Sequence, residues 1–369
     1  MRSVELFSGC GGLALGLARA GFHHDLLVEW KAEPIETLLL NKDRGVEHVR
    51  DWNVLREDVS RIDWTRYRGV ELVAGGPPCQ PFSIGGKHRG HADDRDMWPE
   101  TIRSVREIGP SAFLFENVRG LGRPAFSSYL EWIVESLKRP KIERRRGETH
   151  GRHVERLCRE RRDYDVIAIR LDAANYGAPQ RRHRIIIAGI DRERGIELAA
   201  PRQTHSLARL AWDQDVTGSY WKRHRIRKSV KPALSLSVIP PGLPWMTVRD
   251  ALRGLGTPSD RGNHAFQDGA RAYVGHTGSH LDAPAKALKA GDHGVPGGEN
   301  MMVRDDGSVR YFTVREAARL QGLPDDFRFN SVWSESMRQL GNAVPAQLSE
   351  ALGRWLLRML GEEHAETAA

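Results

Sequence analysis

The sequence lacks any apolar run that approaches the roughly 18 residues a membrane span requires. Its first ten residues, MRSVELFSGC, also lack the apolar core of a secretory signal peptide. A chain of 369 residues with 40 % hydrophobic and 28 % charged residues is instead typical of a folded globular protein. We therefore expect a cytoplasmic protein that has no membrane partner.

Cysteine is scarce, with only Cys10, Cys79 and Cys158 in the whole chain. Three widely spaced cysteines cannot form a disulfide framework, and no CxxC pair suggests a zinc site. We predict no metal. A lone cysteine is most often a small buried apolar residue, and we assign this role to Cys10 and Cys158. Cys79 differs because of the residues around it.

Acidic residues are outnumbered, 48 against 56 Lys and Arg, which gives a net charge of +8. Such an excess favours polyanionic partners such as nucleic acid, although a solvated surface has the same composition. The basic residues concentrate in two segments, 138–162 and 221–231. We interpret segment 138–162 either as a DNA-contacting insertion or as a solvated helix, and the sequence leaves both open.

Short apolar runs alternate with helical patterns through the first half of the chain, as in βαβ units. The predicted strands are Ser3–Phe7, Asp25–Glu29, Glu71–Ala74, Ala112–Phe115, Tyr164–Leu171 and Arg184–Gly189. Leu13–Ala20 has helical spacing after the first strand. Polar or glycine-rich motifs follow the strands repeatedly, and ligands bind at that edge of open α/β sheets. The sequence predicts an α/β fold of the Rossmann-like class.

The pattern changes near residue 199, where Gly, Pro, His and basic residues begin to dominate. We predict a smaller, irregular domain over 199–307. Helical order returns at Val314–Gln321, Met337–Leu340 and Pro345–Leu360. The apolar face of the last helix indicates that it packs back on the first domain. The larger domain is accordingly predicted to comprise 1–198 and 308–369.

A glycine-rich turn, Ser8–Gly12, connects the first strand to the first helix. Glycines let the backbone turn tightly and approach a ligand closely. Glu29 ends the next strand and can accept hydrogen bonds from ribose hydroxyls. Trp30 can stack on an adenine ring, and Asp58 can reach its amino group or simply cap a helix. These residues predict an adenosine-type cofactor, either a dinucleotide or S-adenosylmethionine.

A second motif, Gly75–Ser83 (GGPPCQPFS), follows the third strand. Its two prolines stiffen the backbone in front of Cys79, and its glycines admit another molecule. A thiol presented in this way resembles a positioned nucleophile. The polar stretch 84–96 that follows suits a lid.

Two further motifs carry charge at strand ends. Glu116, in ENV at 116–118, can hydrogen-bond to a substrate or donate a proton to it, although a structural cap is the simpler role. In QRRHR at 180–184, Arg182 and Arg184 alternate and should share one face of the strand. Arginines there can hold a phosphate or carboxylate in a bidentate geometry.

Taken together and in this order, these motifs resemble the cytosine-5 DNA methyltransferase family of bacterial restriction–modification systems. The segments Arg315–Phe327 and Gln339–Pro345 are similar to two more of its blocks, so the resemblance covers roughly 1–195 and 308–358. It implies that Cys79 attacks C6 of cytosine and makes C5 reactive toward S-adenosylmethionine. Glu116, Arg182 and Arg184 would assist on the ring, which must first be flipped out of the duplex.

The resemblance also assigns binding residues and partners. Segment 199–307 takes the position of a target-recognition domain. A monomer acting on double-stranded DNA is expected, associated with the nucleoid through that DNA, and a cognate restriction endonuclease can share its site. The cofactor residues are Phe7, Gly9, Gly11, Glu29, Trp30, Asp58, Pro78, Met97, Asn342 and Val344, and the DNA or base contacts are Gln80, Ser83 and Asn117.

Three alternatives are distinguishable. A tRNA cytosine-5 methyltransferase shares the chemistry but does not need a separate basic middle domain. A nicotinamide-dependent dehydrogenase accounts for the glycine turn and Glu29 but leaves the motif around Cys79 unexplained. A non-catalytic DNA-binding module uses the basic segments but has no need for an aligned thiol and carboxylate.

Overall fold

A seven-stranded sheet is the centre of the part of the chain that the structure, a computed structural model, describes: residues 1–78, 96–228, 238–259, 261–274, 277–290 and 300–361. The strands are β1 (Arg2–Leu6), β2 (His23–Glu29), β3 (Val54–Arg56), β4 (Leu72–Gly75), β5 (Ala112–Val118), β6 (Tyr164–Asp172) and β8 (His183–Asp191). Their order in the sheet is β3-β2-β1-β4-β5-β8-β6. All neighbours are parallel except β8, which runs antiparallel to both β5 and β6.

Each of the six strands predicted from the sequence is confirmed, with ends that differ by up to three residues. The most apolar one, β8, lies between two neighbours and is buried along most of its length, as its composition indicates. Because β8 is antiparallel to β5, its amino end lies at the carboxyl edge of β5. This direction brings His183 and Arg184 to the edge that ends with Glu116 and Val118.

Helices cover the sheet, and those of the first half alternate with its strands. They are α1 (Gly12–Ala20), α2 (Ala32–Asp43), α3 (Trp98–Ile108), α4 (Ser127–Lys138) and α5 (His150–Leu157). After the middle of the chain come α9 (Val314–Leu320), α10 (Trp333–Asn342) and α11 (Ala346–Met359). In the described part of the chain, no helix combines the length and apolarity that a membrane crossing requires.

The last helix packs against the first, which confirms the predicted return of the chain. Added Cβ atoms show how close the approach is: one on Gly16 would lie 2.3 Å from the Ser349 Cβ, and one on Gly353 would lie 2.6 Å from the Ala20 Cβ. Glycine at both positions lets the two helix backbones come together. The leucines of α11 then fill a core shared with α1 and the sheet.

Segment 138–162 contains α5, which packs against α4. Trp132 Nε1 donates to His153 Nδ1 at 3.0 Å, and the other His153 ring nitrogen lies 3.0 Å from the Ile142 carbonyl oxygen. Burial lowers the pKa of His153, so it serves as a neutral link inside the segment. The arginines at 144–146, 159, 161 and 162 are exposed. The structure therefore fits both interpretations of this segment.

Between 199 and 307 the described elements are short and irregular. They are β9 (His205–Ser206), α6 (Leu207–Ala211), α7 (Ser219–Arg223), β10 (Leu243–Pro244), α8 (Val248–Leu252), β11 (Ser279–His280), β12 (Ala285–Lys286) and β13 (Met301–Val303). Strand β13 pairs with β14 (Val309–Tyr311), and β12 pairs with β7 (Gln180–Arg181). Val248, Leu288 and Met302 share one core with Phe312 and Leu320. The segment is thus firmly attached to the larger body, and the domain boundaries stay a prediction.

Candidate active site at the sheet edge

The glycine turn after β1 has an unusual backbone. Phe7, Gly9 and Gly11 all have positive φ, at 58°, 53° and 83°. This conformation suits glycine but is strained for phenylalanine, and such strain is concentrated at functional sites. A Cβ on Gly11 would lie 2.7 Å from the Trp52 ring. The turn is therefore fixed by close packing, with its backbone amides at the carboxyl edge of the sheet.

Glu29 holds this turn in place. Its carboxylate accepts hydrogen bonds from the backbone N–H groups of Gly9, Trp30 and Lys31, each at 3.0 Å. A carboxylate offers about four acceptor positions, so capacity for a further donor remains. The strand-end acid predicted to face a ribose thus also joins the first two strands of the sheet.

Trp30 and Asp58 follow the ends of β2 and β3. The Trp30 side chain is 63 % exposed, so core packing does not account for it. Asp58 Oδ1 accepts from the Ser60 N–H at 2.9 Å, which lowers the pKa of Asp58. Its capping role is therefore present in the structure, and its contact with an adenine amino group stays a prediction.

The far end of the chain completes this edge. Asn342 ends α10, and Val344 follows it. A Cβ on Gly12 would lie 2.4 Å from the Val344 carbonyl oxygen, so this backbone touches the start of α1. The Cys10 thiol lies 3.7 Å from the Gln339 carbonyl oxygen. Asn342 is exposed and Val344 is buried, and their assignment to one cofactor pocket stays a prediction.

Cys10 and Cys158 have different surroundings. Cys10 is buried as predicted, and burial raises the pKa of its thiol to about 12. The prediction for Cys158 is wrong, because its side chain is exposed at the end of α5. The sequence around it gives no apolar periodicity that would have distinguished the two. Among the described residues, no cluster of three metal-ligating side chains occurs.

The motif around Cys79 begins within the described residues and continues outside them. Gly75, Gly76, Pro77 and Pro78 are described, whereas Cys79, Gln80, Ser83 and all of the predicted lid at 84–96 except Asp96 lie outside the described residues. A Cβ on Gly76 would lie 3.7 Å from Glu116 Oε2. Gly76, directly in front of the prolines, therefore lies beside the carboxylate of Glu116.

Asn117 is buried and holds the segment that leads to Cys79 by a hydrogen bond. Its Nδ2 donates to the Pro77 carbonyl oxygen at 3.1 Å, and its Oδ1 accepts from the Val118 N–H at 2.9 Å. It is 2 % exposed. The structure does not display the contact with DNA or a base that was predicted for Asn117. Asn117 instead positions the backbone two residues before Cys79.

Glu116 and Arg184 form an ion pair at the end of β5. Both side chains are largely buried, and Arg184 also donates to the His183 carbonyl oxygen at 2.8 Å. A buried pair of this kind has strongly restricted geometry. The predicted acid and one of the two predicted arginines are thus together, next to the segment that leads to the thiol.

Arg182 points elsewhere. It is 1 % exposed, and its guanidinium donates to the carbonyl oxygens of Leu288 and Gly341 at 3.0 and 2.6 Å. These bonds link the middle segment and the C-terminal segment to the sheet edge. The chain breaks its strand geometry between β7 and β8, at Arg182 itself. These hydrogen bonds of Arg182 hold two backbone carbonyl groups in position, and its predicted contact with a base stays a prediction.

Sequence reasoning missed Asp172. Its Oδ1 accepts from the Arg182 N–H at 3.0 Å, and its Oδ2 accepts from Arg181 Nε at 3.0 Å. Asp172 thereby sets the start of β8 and the position of Arg184. The only signal for it was an acid at the end of a predicted strand.

Met97 directly precedes α3, on the other side of the predicted lid. It is half-buried and packs against the core beneath the sheet edge. The neighbouring Asp96 accepts from the Trp98 N–H at 3.1 Å and from the Tyr129 hydroxyl. These hydrogen bonds fix the start of α3 next to α4.

The fold and this edge define an α/β enzyme of the S-adenosylmethionine-dependent methyltransferase class. The family model "C-5 cytosine-specific DNA methylase" matches residues 1–140 and 142–358. The chain belongs to this family and is a DNA cytosine-5 methyltransferase.

Known relatives match over nearly the whole chain. Type II methyltransferase M.NgoMIV of Neisseria gonorrhoeae is 31 % identical over 98 % of this chain and 99 % of its own length. Type II methyltransferase M.Eco47II of Escherichia coli is 32 % identical over 97 % and 79 %. The solved structure of Dnmt2 methyltransferase from S. pombe superposes with a TM-score of 0.59, at 18 % identity over 98 % of this chain and 99 % of its own, and supports the fold alone.

Proposed function

We propose that this protein transfers a methyl group from S-adenosylmethionine to C5 of a cytosine flipped out of a specific site in duplex DNA. The observation that carries the proposal is the buried Glu116–Arg184 pair beside Gly76, three residues before Cys79. The turn at Gly9, held by Glu29, lies on the same sheet edge. A nucleophile, an acid and a cofactor site can thus act on one base.

The chemistry follows from the weak nucleophilicity of C5. The Cys79 thiolate forms a bond to C6, and the electrons of the C5=C6 bond move onto the ring. Glu116 delivers a proton to N3, which neutralises this charge, and it accepts a hydrogen bond from the exocyclic amine, while Arg184 holds the base carbonyl. C5 then takes the methyl group, and the electron pair of the broken bond stays on the donor sulfur. C5 loses its proton to a base, N3 returns its proton, and the C6–S bond breaks to release the thiolate.

The residues present suit the proposed cofactor. S-adenosylmethionine supplies an electrophilic methyl group when bound. Trp30 offers an exposed ring for adenine, Glu29 retains an acceptor position for the ribose, and the backbone turns tightly from Phe7 to Gly11. Pro78, Met97, Asn342 and Val344 are proposed to complete the pocket.

The Type II names of the relatives support a role in a restriction–modification system. We infer that the protein works as a monomer on double-stranded DNA in the bacterial cytoplasm and protects the site of a cognate endonuclease. Segment 199–307 is proposed to read the sequence, with Gln80 and Ser83 at the flipped base. The basic stretch that begins at Trp221 suits contact with phosphates.

One experiment tests both the activity and its target. A plasmid that expresses the protein in a methylation-deficient host is expected to show cytosines protected from bisulfite conversion at one recurrent sequence. Purified protein should label duplex DNA, and not tRNA, from S-adenosylmethionine carrying a labelled methyl group. Labelling of tRNA alone would support the tRNA enzyme instead, and no labelling of either would reject the proposal.

Replacing Trp30 with Ala should weaken cofactor binding by about tenfold, because aromatic stacking on a base contributes about 1–3 kcal/mol. Isothermal titration with S-adenosylmethionine measures this change. Since Trp30 is exposed, the thermal unfolding midpoint should not move. Phe266→Ala is the matched control, because Phe266 is also an exposed aromatic residue but lies in the middle segment. This variant should bind S-adenosylmethionine as the unchanged protein does. Tight binding of NAD by the unchanged protein would favour the dehydrogenase alternative.

A further inference from the structure

A cavity of about 900 Å³ opens beside Arg184, between α4 and the strands β6 and β8. We call it the arginine cavity. Its size is in the range of ligand-binding clefts. Its lining includes the side chains of Arg119, Arg123, Arg170, His183 and Arg184. Apart from Arg184, the function proposed above gives none of these residues a role.

The strand order fixes where the cavity lies relative to the reaction. Along the carboxyl edge, the cofactor turn belongs to β1 and β2, the segment leading to Cys79 follows β4, and Glu116 lies two residues before the end of β5. The next strands, β8 and β6, carry Arg184 and Arg170 to the cavity. The cavity is therefore on the far side of the catalytic carboxylate from the cofactor, so it cannot hold the cofactor's own carboxylate.

The cavity carries uncompensated positive charge. Arg184 is neutralised by Glu116, and on the α4 side Glu135 pairs with Lys138 and Arg139. Among the described residues of the lining, Glu131 is the remaining acid, against Arg119, Arg123 and Arg170.

A backbone contact holds Arg170 in place. Arg170 donates to the Gly122 carbonyl oxygen. A Cβ on Gly122 would meet that guanidinium at 2.9 Å, so glycine at this position leaves room for it. The remaining guanidinium donors suit a phosphate, which arginine recognises in a bidentate geometry.

We propose that the arginine cavity binds backbone phosphates of the DNA strand that carries the target cytosine. This inference rests on the proposed function. A base held between the Cys79 segment and Glu116 has the cofactor on one side. Its own sugar and phosphates should therefore extend toward the other side, where the arginine cavity lies. Arg119, Arg123 and Arg170 receive them there and hold the strand while the base is out of the stack.

The test compares Arg123→Ala and Arg170→Ala with the control Arg192→Ala. Arg192 is exposed and follows the carboxyl end of β8, at the other end of the strands from the cavity. Affinity for a duplex that contains the target found by bisulfite sequencing is measured by fluorescence anisotropy at several salt concentrations. Each cavity variant should bind about tenfold more weakly at low salt, and the slope of log K against log salt should fall by about 0.9. Arg192→Ala should change neither value.

Two further arms separate phosphate binding from a structural role. With methylphosphonates on either side of the target cytosine, the unchanged protein should lose affinity and the cavity variants should lose little more. Arg170→Lys should recover part of the salt slope. KM for DNA should rise while kcat and the affinity for S-adenosylmethionine stay unchanged.

The assignment would be overturned if the cavity variants kept the salt slope of the unchanged protein. It would also be overturned if the methylphosphonates lowered the affinity of the cavity variants as much as that of the unchanged protein. If the unchanged protein methylates duplex DNA and the cavity variants behave like Arg192→Ala, only this inference fails. If the unchanged protein does not methylate duplex DNA at all, the proposed function itself fails.

Discussion

Replacing Cys79 with Ser should reduce methyl transfer by more than about 1000-fold, as losses of catalytic nucleophiles commonly do. A hydroxyl is far less acidic than a thiol, so serine presents almost no anion to C6 near neutral pH. DNA binding should remain largely intact, because the substitution replaces one atom in a segment held by Asn117 through the Pro77 carbonyl. The rate is measured in a single turnover, and affinity by anisotropy on the same duplex.

A fluorinated substrate makes the covalent step visible. With fluorine at C5 of the target cytosine, there is no C5 proton to remove after methylation, and the C6–S bond persists. The unchanged protein should then migrate with the DNA on a denaturing gel, and Cys79→Ser should not. Cys158→Ser is the matched control, since Cys158 is also a free thiol and is exposed. Turnover by Cys79→Ser, or loss of the adduct in Cys158→Ser, would rule out Cys79 as the nucleophile.

The sheet edge was predictable because strand periodicity and chain direction determine it. Once β1, β2, β4 and β5 are parallel neighbours, whatever follows each strand must meet at one edge. Glu29, Gly76 and Glu116 are therefore brought together without knowledge of any side-chain contact. The apolar face of the last helix carried similar information, and Gly16 and Gly353 allow the close contact of α1 with α11.

The roles of individual polar side chains were not predictable in the same way. Alternation in the strand pattern predicted one face for Arg182 and Arg184, but the chain interrupts its strand at Arg182 and sends that side chain to Leu288 and Gly341. Those partners are more than 100 residues away in sequence, and no local pattern encodes them. Asn117 turned inward to Pro77 for the same reason: long-range packing, and not local spacing, decides which polar group reaches the substrate.

Replacing Glu116 with Gln should slow methyl transfer by about 100- to 1000-fold, the usual effect of removing one group that stabilises charge on a reacting ring. Glutamine keeps the size and can still hydrogen-bond the base, but it cannot supply a proton to N3. It also leaves the largely buried Arg184 guanidinium without its counter-ion. The single-turnover rate should therefore fall, while affinity for the duplex and for S-adenosylmethionine should change much less.

A second buried Arg–Glu pair separates this catalytic effect from simple destabilisation. Arg310 Nη1 donates to Glu316 Oε2 at 2.7 Å, and the Glu316 side chain is 1 % exposed. Glu316→Gln breaks an equivalent pair and should lower the melting temperature without a selective loss of rate at temperatures where the protein is folded. Because Glu116 and Arg184 are in contact, Glu116→Gln and Arg184→Met together should cost less than the sum of the two single losses. Additive losses would show that the two residues act independently. A rate for Glu116→Gln that matches that of Glu316→Gln would show that the pair at the sheet edge is structural and that another group activates the ring.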